Sequence, residues 1–289
     1  MSAHQHTDEL SINQALAWGY AQLIANKHIS SDEARFEAQH LLCEVLKVNR
    51  AHILTWPENR LTQPAQSHYE SLIKERKAGK PVAYILGYRE FWGLKLGVTA
   101  ETLIPRPDTE ILVTEALKRI TPKSKQLIDL GTGSGAIAIA LAKENPKLIV
   151  IATDVHYPTL TVAKNNANLH QVKVSFIQCH WLEAFETLPK FDMIVSNPPY
   201  IETEDQYLQQ GDLRYEPIRA LASGDDGLDA IKQIIQESYP KLQSKGWLLL
   251  EHGYNQAEAV RSLLAQEGFC HIETIKDFAQ HDRVSLGQK

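Results

Sequence analysis

Gln126-Leu127-Ile128-Asp129-Leu130-Gly131-Thr132-Gly133-Ser134-Gly135-Ala136-Ile137-Ala138-Ile139-Ala140-Leu141-Ala142 decides the fold of this 289-residue chain. Its first five residues fit a short buried strand. Three alternating glycines make a turn, and the small and aliphatic residues after them suit a helix. A strand, a glycine turn and a helix in that order bring the backbone close to a nucleotide-like ligand. The spacing is G-x-G-x-G rather than G-x-G-x-x-G, which weakens a pyrophosphate reading, and no Gly-Lys-Ser/Thr follows, which removes a Walker loop.

Working outward, apolar runs alternate with helix-compatible stretches. Strands are expected near residues 125–130, 148–153, 172–178, 191–196 and 246–252, with two more after 269. This alternation predicts an α/β, Rossmann-like, mainly parallel seven-stranded sheet with helices on both faces. Ligands of such sheets gather at the C-terminal strand edge, where Gly131, Asp154 and Asn197 all fall. Asp154 ends the second apolar run and is placed to accept both ribose hydroxyls of a nucleoside cofactor. NAD and S-adenosylmethionine sites share that acid. Residues 201–226 are polar and irregular, as expected of a loop over the pocket.

The fourth expected strand closes on Asn197-Pro198-Pro199-Tyr200. A rigid Asn-Pro-Pro-aromatic turn offers two oxygen acceptors beside a flat ring, a geometry suited to a planar NH2 group. The Asn197 carboxamide and the Pro198 carbonyl can accept its two N–H bonds while Tyr200 stacks on its face. An ordinary strand-ending turn would use similar residues. Beside the glycine loop, however, an amine clamp suits methyl transfer and has no use in hydride transfer.

Hydrophobic residues make up 43% of the chain, enough for a full α/β domain and a smaller one. The formal net charge is −5, which gives no duplex-DNA footprint. The first ninety residues hold ten basic and ten acidic side chains, so the rest carries the whole deficit. Cys43, Cys179 and Cys270 are odd in number and widely spaced, which implies a reducing compartment and no structural metal. His4 and His6 sit in a polar start that lacks the pattern of a secretory signal, and no apolar stretch reaches membrane-spanning length. Cytoplasmic location is expected.

Residues 1–80 are expected to form an all-α domain. Ile12, Ala15, Leu16, Tyr20, Leu23 and Ile24 share one helical face. Ser30-Ser31-Asp32-Glu33 is a capping box, opening a helix whose inner face includes Phe36, Leu41, Leu42 and Val45. A third helix follows Thr62 and Pro64 and stops at Gly79. Residues 81–105 are read as a β-hairpin linker and residues 106–289 as the catalytic domain. Pro107 in Ile104-Pro105-Arg106-Pro107-Asp108-Thr109-Glu110 suits a helix start, with acids near the positive end of its dipole.

The glycine loop, Asp154 and Asn197-Pro198-Pro199-Tyr200 resemble the amino-methylating class I S-adenosylmethionine-dependent methyltransferases. That resemblance implies Gly131, Thr132, Gly133, Ser134 and Gly135 around the methionine end, Asp154 on the ribose and Trp181 near the adenine. An acid common in the family before the Trp181 position is His180 here. Phe91-Trp92-Gly93-Leu94, the segment from Ile104 to Glu110, Gln209-Gln210-Gly211-Asp212-Leu213-Arg214-Tyr215-Glu216-Pro217 and Leu249-Leu250-Glu251-His252-Gly253 narrow it further. Together they resemble the release factor glutamine methyltransferases, the PrmC or HemK family, over nearly the whole chain. By that resemblance the substrate is the glutamine of the Gly-Gly-Gln loop in class 1 peptide chain release factors. Asn197, Pro198, Pro199, Tyr200 and Arg106 would meet that glutamine, with Asn197, Pro198 and Tyr200 as the catalytic set and Asn197 also touching the cofactor. The helical domain would dock the protein substrate, the enzyme would act as a monomer, and neither nucleic acid nor membrane would be required. The rivals are an adenine or cytosine amino-methyltransferase, a ribosomal-protein glutamine methyltransferase, a dinucleotide oxidoreductase and a non-catalytic cofactor-binding scaffold.

Overall fold

Side chains along the central strands alternate between two separate apolar clusters, and this alternation organises the larger unit of the molecule. A computed structural model describes residues 9–26, 29–185 and 190–289. His4 and His6 lie outside the described residues. The chain divides into two compact units, residues 1–86 with 209–215, and residues 87–208 with 216–289.

In the first unit, helices α1 (Ile12–Ile24), α2 (Ser31–Leu46), α3 (Arg50–Thr55), α4 (Gln63–Lys77) and α5 (Val82–Leu86) surround one core. Ser30 caps α2 through the Glu33 N–H at 3.2 Å, and the Glu33 carboxylate returns to the Ser30 N–H at 3.4 Å. Such caps contribute about 1 kcal/mol. The inner face of α2 is Ala34, Glu37, Ala38, Leu41 and Leu42. Phe36, expected inside, is 59% exposed and stacks on the His40 ring instead. Ile24, at the end of α1, also faces solvent. Buried Arg76 donates to Glu37 at 2.8 Å and to Asp212 at 2.7 Å, so the 209–215 segment is held by charge as well as by packing.

The expected hairpin is shorter than residues 81–105. Pro81 accepts from the Tyr84 and Ile85 N–H groups and starts α5, which Gly87 ends at a positive φ of 76°. Only β1 (Tyr88–Phe91) and β2 (Leu94–Gly97) then pair as the hairpin. Alternating apolar residues misled here because a proline at the first turn pre-organises a helix.

The second unit adds α6 (Glu110–Arg119), β3 (Gln126–Leu130), α7 (Ala136–Glu144), β4 (Ile149–Asp154), α8 (Tyr157–Leu169), β5 (Val174–Gln178) and β6 (Phe191–Ser196). It continues with α9 (Asp229–Lys241), β7 (Leu242–Glu251), α10 (Ala257–Glu267), β8 (Cys270–Lys276) and β9 (Asp282–Gln288). The sheet order is β5-β4-β3-β6-β7-β9-β8, with β9 antiparallel to both neighbours and the other pairs parallel. Leu127, Val150, Met193, Val195 and Leu249 point to the α6 and α7 side; Ile128, Leu130, Ile194, Leu248 and Leu250 point to the α9 and α10 side. Burial on both faces explains why these strands read as continuous apolar runs. The strand order reverses between β3 and β6, which opens a crevice at their C-terminal ends. Residues 201–226 contain only short 3-10 turns and isolated bridges, as expected of a loop. Among the described residues no helix is long and apolar enough to cross a membrane.

Candidate active site

At the C-terminal edge of β3, β4 and β6 lies a cavity of about 340 Å³, lined by residues of the second unit alone. Arg106, Gly131, Thr132, Gly133, Ser134, Asp154, Trp181, Asn197 and Pro199 form part of its wall. Gly135, Pro198 and Tyr200 are not part of that wall.

One side is built from the glycine turn. The Thr132 hydroxyl donates to Asp129 Oδ2 at 2.6 Å, and its N–H donates to the Thr153 carbonyl at 2.8 Å, which holds the turn against β4. Asp154 accepts from the Gly133 N–H at 3.2 Å and from the His156 N–H at 2.9 Å. Burial lifts the Asp154 pKa against the pull of these two N–H groups. A carboxylate has about four lone-pair sites, so two remain for further donors. Gly133 has a φ of 57° and nothing within 4 Å of where a Cβ would stand. Trp181 faces Gly131, and its indole Nε1 is buried without a hydrogen-bond partner. Beside it, His180 Nδ1 is 3.4 Å from the Gln233 amide nitrogen and 3.6 Å from a Glu183 oxygen.

The other side is the end of β6. Asn197 Nδ2 donates to Thr109 Oγ1 at 3.1 Å, and the Tyr200 hydroxyl donates to Glu251 Oε1 at 3.3 Å. Gln256 donates to the Tyr200 carbonyl at 3.0 Å. A Cβ on Gly227 would stand 2.2 Å from that same carbonyl oxygen, so only glycine fits where the loop presses on the Asn-Pro-Pro-Tyr turn. Arg106 is paired with Glu216, whose other oxygen accepts from the Ile104 N–H at 2.9 Å. The guanidinium therefore reaches the cavity wall with part of its charge already matched.

Two families match the sequence: one described as the PrmC N-terminal domain, over residues 14–87, and one described as the methyltransferase small domain, over residues 107–212. A release factor glutamine methyltransferase of Escherichia coli (strain K12) is 43% identical over 260 residues, 90% of this chain and 94% of its own. One from Coxiella burnetii is 45% identical over 276 residues, 92% of this chain and 98% of its own. The chain belongs to the release factor glutamine methyltransferases. A methyltransferase from Pyrococcus furiosus, 18% identical with a TM-score of 0.50, covers 77% of this chain and 98% of its own, and shares the fold.

As a member of the release factor glutamine methyltransferases, the chain carries two buried acids that sequence reasoning did not assign. Burial pushes Asp129 up to about 7 despite the Thr132 hydroxyl and a backbone N–H. Burial likewise pushes Glu251 up to about 7, opposed by Thr109, Arg283 and Tyr200. Glu251 and Thr109 both lie in quoted motifs, but neither received a role. The signal for Glu251 is an acid directly after Leu248-Leu249-Leu250, at the end of a strand too buried to carry a charge without purpose. His252 is fully buried. Its ring nitrogens lie 2.8 Å from the Gly253 carbonyl and 2.8 Å from the Ser285 hydroxyl. Burial holds its pKa below the usual histidine range. It is a structural residue with no ring nitrogen free for a substrate.

Proposed function

We propose that this enzyme transfers the methyl group of S-adenosylmethionine to the side-chain amide nitrogen, N5, of the glutamine in the Gly-Gly-Gln loop of class 1 peptide chain release factors. The observation that carries the reading is the orientation of Asn197. Its nitrogen is committed to Thr109, and its oxygen, which accepts from no group among the described residues, is left for a ligand of the cavity. The cofactor's fit is supported by three features of the wall. Gly133 leaves space where a side chain would intrude, Asp154 retains acceptor positions for a ribose, and Trp181 Nε1 lacks a partner.

S-adenosylmethionine, when bound, supplies a methyl carbon made electrophilic by the adjoining sulfonium. The chain's own residues must make a poor nucleophile serviceable. A carboxamide nitrogen shares its lone pair with the carbonyl and is almost non-basic, so deprotonation before attack is prohibitive at neutral pH. Asn197 Oδ1 and the Pro198 carbonyl accept the two substrate N–H bonds, which favours a pyramidal nitrogen with its lone pair aimed outward. As positive charge develops on that nitrogen, two such acceptors would stabilise it. Tyr200 covers the amide face and excludes water. The proton leaves to solvent after transfer. Arg106, at the wall, would meet the substrate carbonyl or backbone, and the helical unit would dock the release factor.

The test is methyl transfer from radiolabelled S-adenosylmethionine to a purified release factor, compared with its Gln-to-Ala variant in the Gly-Gly-Gln loop. Label on the wild-type factor alone is expected. Label on neither factor but on DNA or ribosomal RNA would move the assignment to a nucleic-acid amino-methyltransferase.

A further inference from the structure

At the end of the cavity away from Asn197, helix α9 brings an amide into the wall. Gln233 lines the cavity together with His180 and Trp181. Glu237, one turn further along α9, accepts from the Leu182 N–H at 3.1 Å through one oxygen and from Gln233 Nε2 at 2.8 Å through the other. A carboxylate only accepts, so the Gln233 amide must turn its NH2 toward Glu237. The second hydrogen of that NH2 faces His180 Nδ1 at 3.4 Å. An imidazole that accepts at Nδ1 carries its proton on Nε2, so its other nitrogen is a donor. The acceptor at this end is therefore not His180. It is Gln233 Oε1, which accepts from no group among the described residues.

The order of the strands says which part of a nucleoside would meet that oxygen. β5, β4, β3 and β6 lie side by side, and their ends lead to His180 and Trp181, to Asp154, to the glycine turn and to Asn197. With a ribose on Asp154 and a methyl group delivered to Asn197, the base lies on the far side of the sugar from the sulfur. That side is the end of β5, beside Trp181 and Gln233. Adenine carries a 6-amino group, whose hydrogens need an acceptor once water is excluded. We propose that Gln233 Oε1 accepts the 6-amino group of the cofactor's adenine, with Glu237 holding the amide in that orientation. The proposal rests on the S-adenosylmethionine reading above and adds to it the residue that recognises the base. A Gln–Glu pair one helical turn apart can form on any helix without a ligand. This one forms part of a cavity wall and leaves its acceptor uncommitted.

Calorimetric binding of two ligands tests this without any methyl acceptor. They are S-adenosylhomocysteine and its analogue with hydrogen in place of the 6-amino group. The wild type is expected to bind the analogue about tenfold more weakly, the loss of one hydrogen bond in a desolvated site. Gln233→Met keeps the length of the side chain and removes the acceptor. It should bind the two ligands with dissociation constants within about twofold of each other, because the amine then has nothing to lose. Gln233→Leu is measured beside it, so the result does not hang on the folding of one variant. His180→Phe should keep the roughly tenfold preference, since Glu237 still orients the amide. A preference that survives in both Gln233 variants would overturn the proposal. So would a preference abolished by His180→Phe and not by the Gln233 variants, or a wild type that binds both ligands equally. Failure of the wild type to bind either ligand would sink the cofactor reading and this proposal with it; equal binding of both would sink the proposal alone.

Discussion

Asp129 and Glu251 are the same chemical object in two places. Each is a carboxyl at the C-terminal end of a central strand, essentially without solvent. Each has one oxygen bonded to a hydroxyl and one with no partner, and burial pushes each up to about 7. They differ in where their hydroxyls come from. Asp129 takes its hydrogen bond from Thr132, three residues along the same turn. Glu251 takes its hydrogen bond from Tyr200, 51 residues away in the chain. A local partner makes the first acid part of a loop's own construction. A distant partner makes the second a tie between separate elements.

The largest effect should come from Asn197, in the turn whose Tyr200 bonds to Glu251. Asn197→Ala is expected to lower kcat roughly 10²- to 10³-fold, the loss typical of removing one preorganised hydrogen-bonding group, with a much smaller change in cofactor affinity. Steady-state kinetics beside calorimetric binding of S-adenosylhomocysteine would decide this, and equal losses in both would remove the clamp argument. Asp129→Asn should act on the opposite parameter. Loosening the glycine turn is expected to weaken S-adenosylhomocysteine binding by about tenfold, or about 1.4 kcal/mol, and to leave kcat at saturating cofactor less changed. If Asp129→Asn and Asn197→Ala shift the same constant, the glycine turn and the Asn-Pro-Pro-Tyr turn are not distinct in function.

A further effect, on stability rather than turnover, is shared by both acids. Each has a folded-state pKa raised to about 7, against ordinary values of 3.8 for Asp129 and 4.5 for Glu251. Between those limits the folded protein binds more protons than the unfolded chain, so stability falls as pH rises through that window. The contribution is complete below about pH 4 and gone above about pH 7, with a slope of at most about 1.4 kcal/mol per pH unit for each group. Melting temperatures from pH 5 to 8 should fall more steeply for the wild type than for Asp129→Asn or Glu251→Gln. Identical slopes would mean that neither carboxyl titrates there.

Most of the cavity could be read from the sequence because its glycine turn, Asp154 and Asn197 each close an apolar run. A strand end is visible in one dimension. Glu251 was not readable in that way, since its place beside the Asn-Pro-Pro-Tyr turn depends on the parallel register that sets Leu250 opposite Ser196. The short helix α5 was missed because five residues leave too little periodicity to outweigh alternation. Phe36 was misplaced because helical spacing gives a face but not its width, and Ala34, Glu37 and Ala38 already fill the inner side of α2. Glu37 lies there only because Arg76 meets its charge at 2.8 Å, a pairing between residues 39 apart that no local pattern contains.

Residues 209–215 group with the N-terminal helices, while the residues on either side of them do not. The polypeptide thus changes unit at 86/87, at 208/209 and again at 215/216. A gene trimmed at the first of these junctions would encode a catalytic half still carrying a short orphan, with Asp212 deprived of Arg76. The helical half is for that reason no detachable cassette: exchanging it between homologues requires carrying those seven residues along, or the graft inherits a broken ion pair.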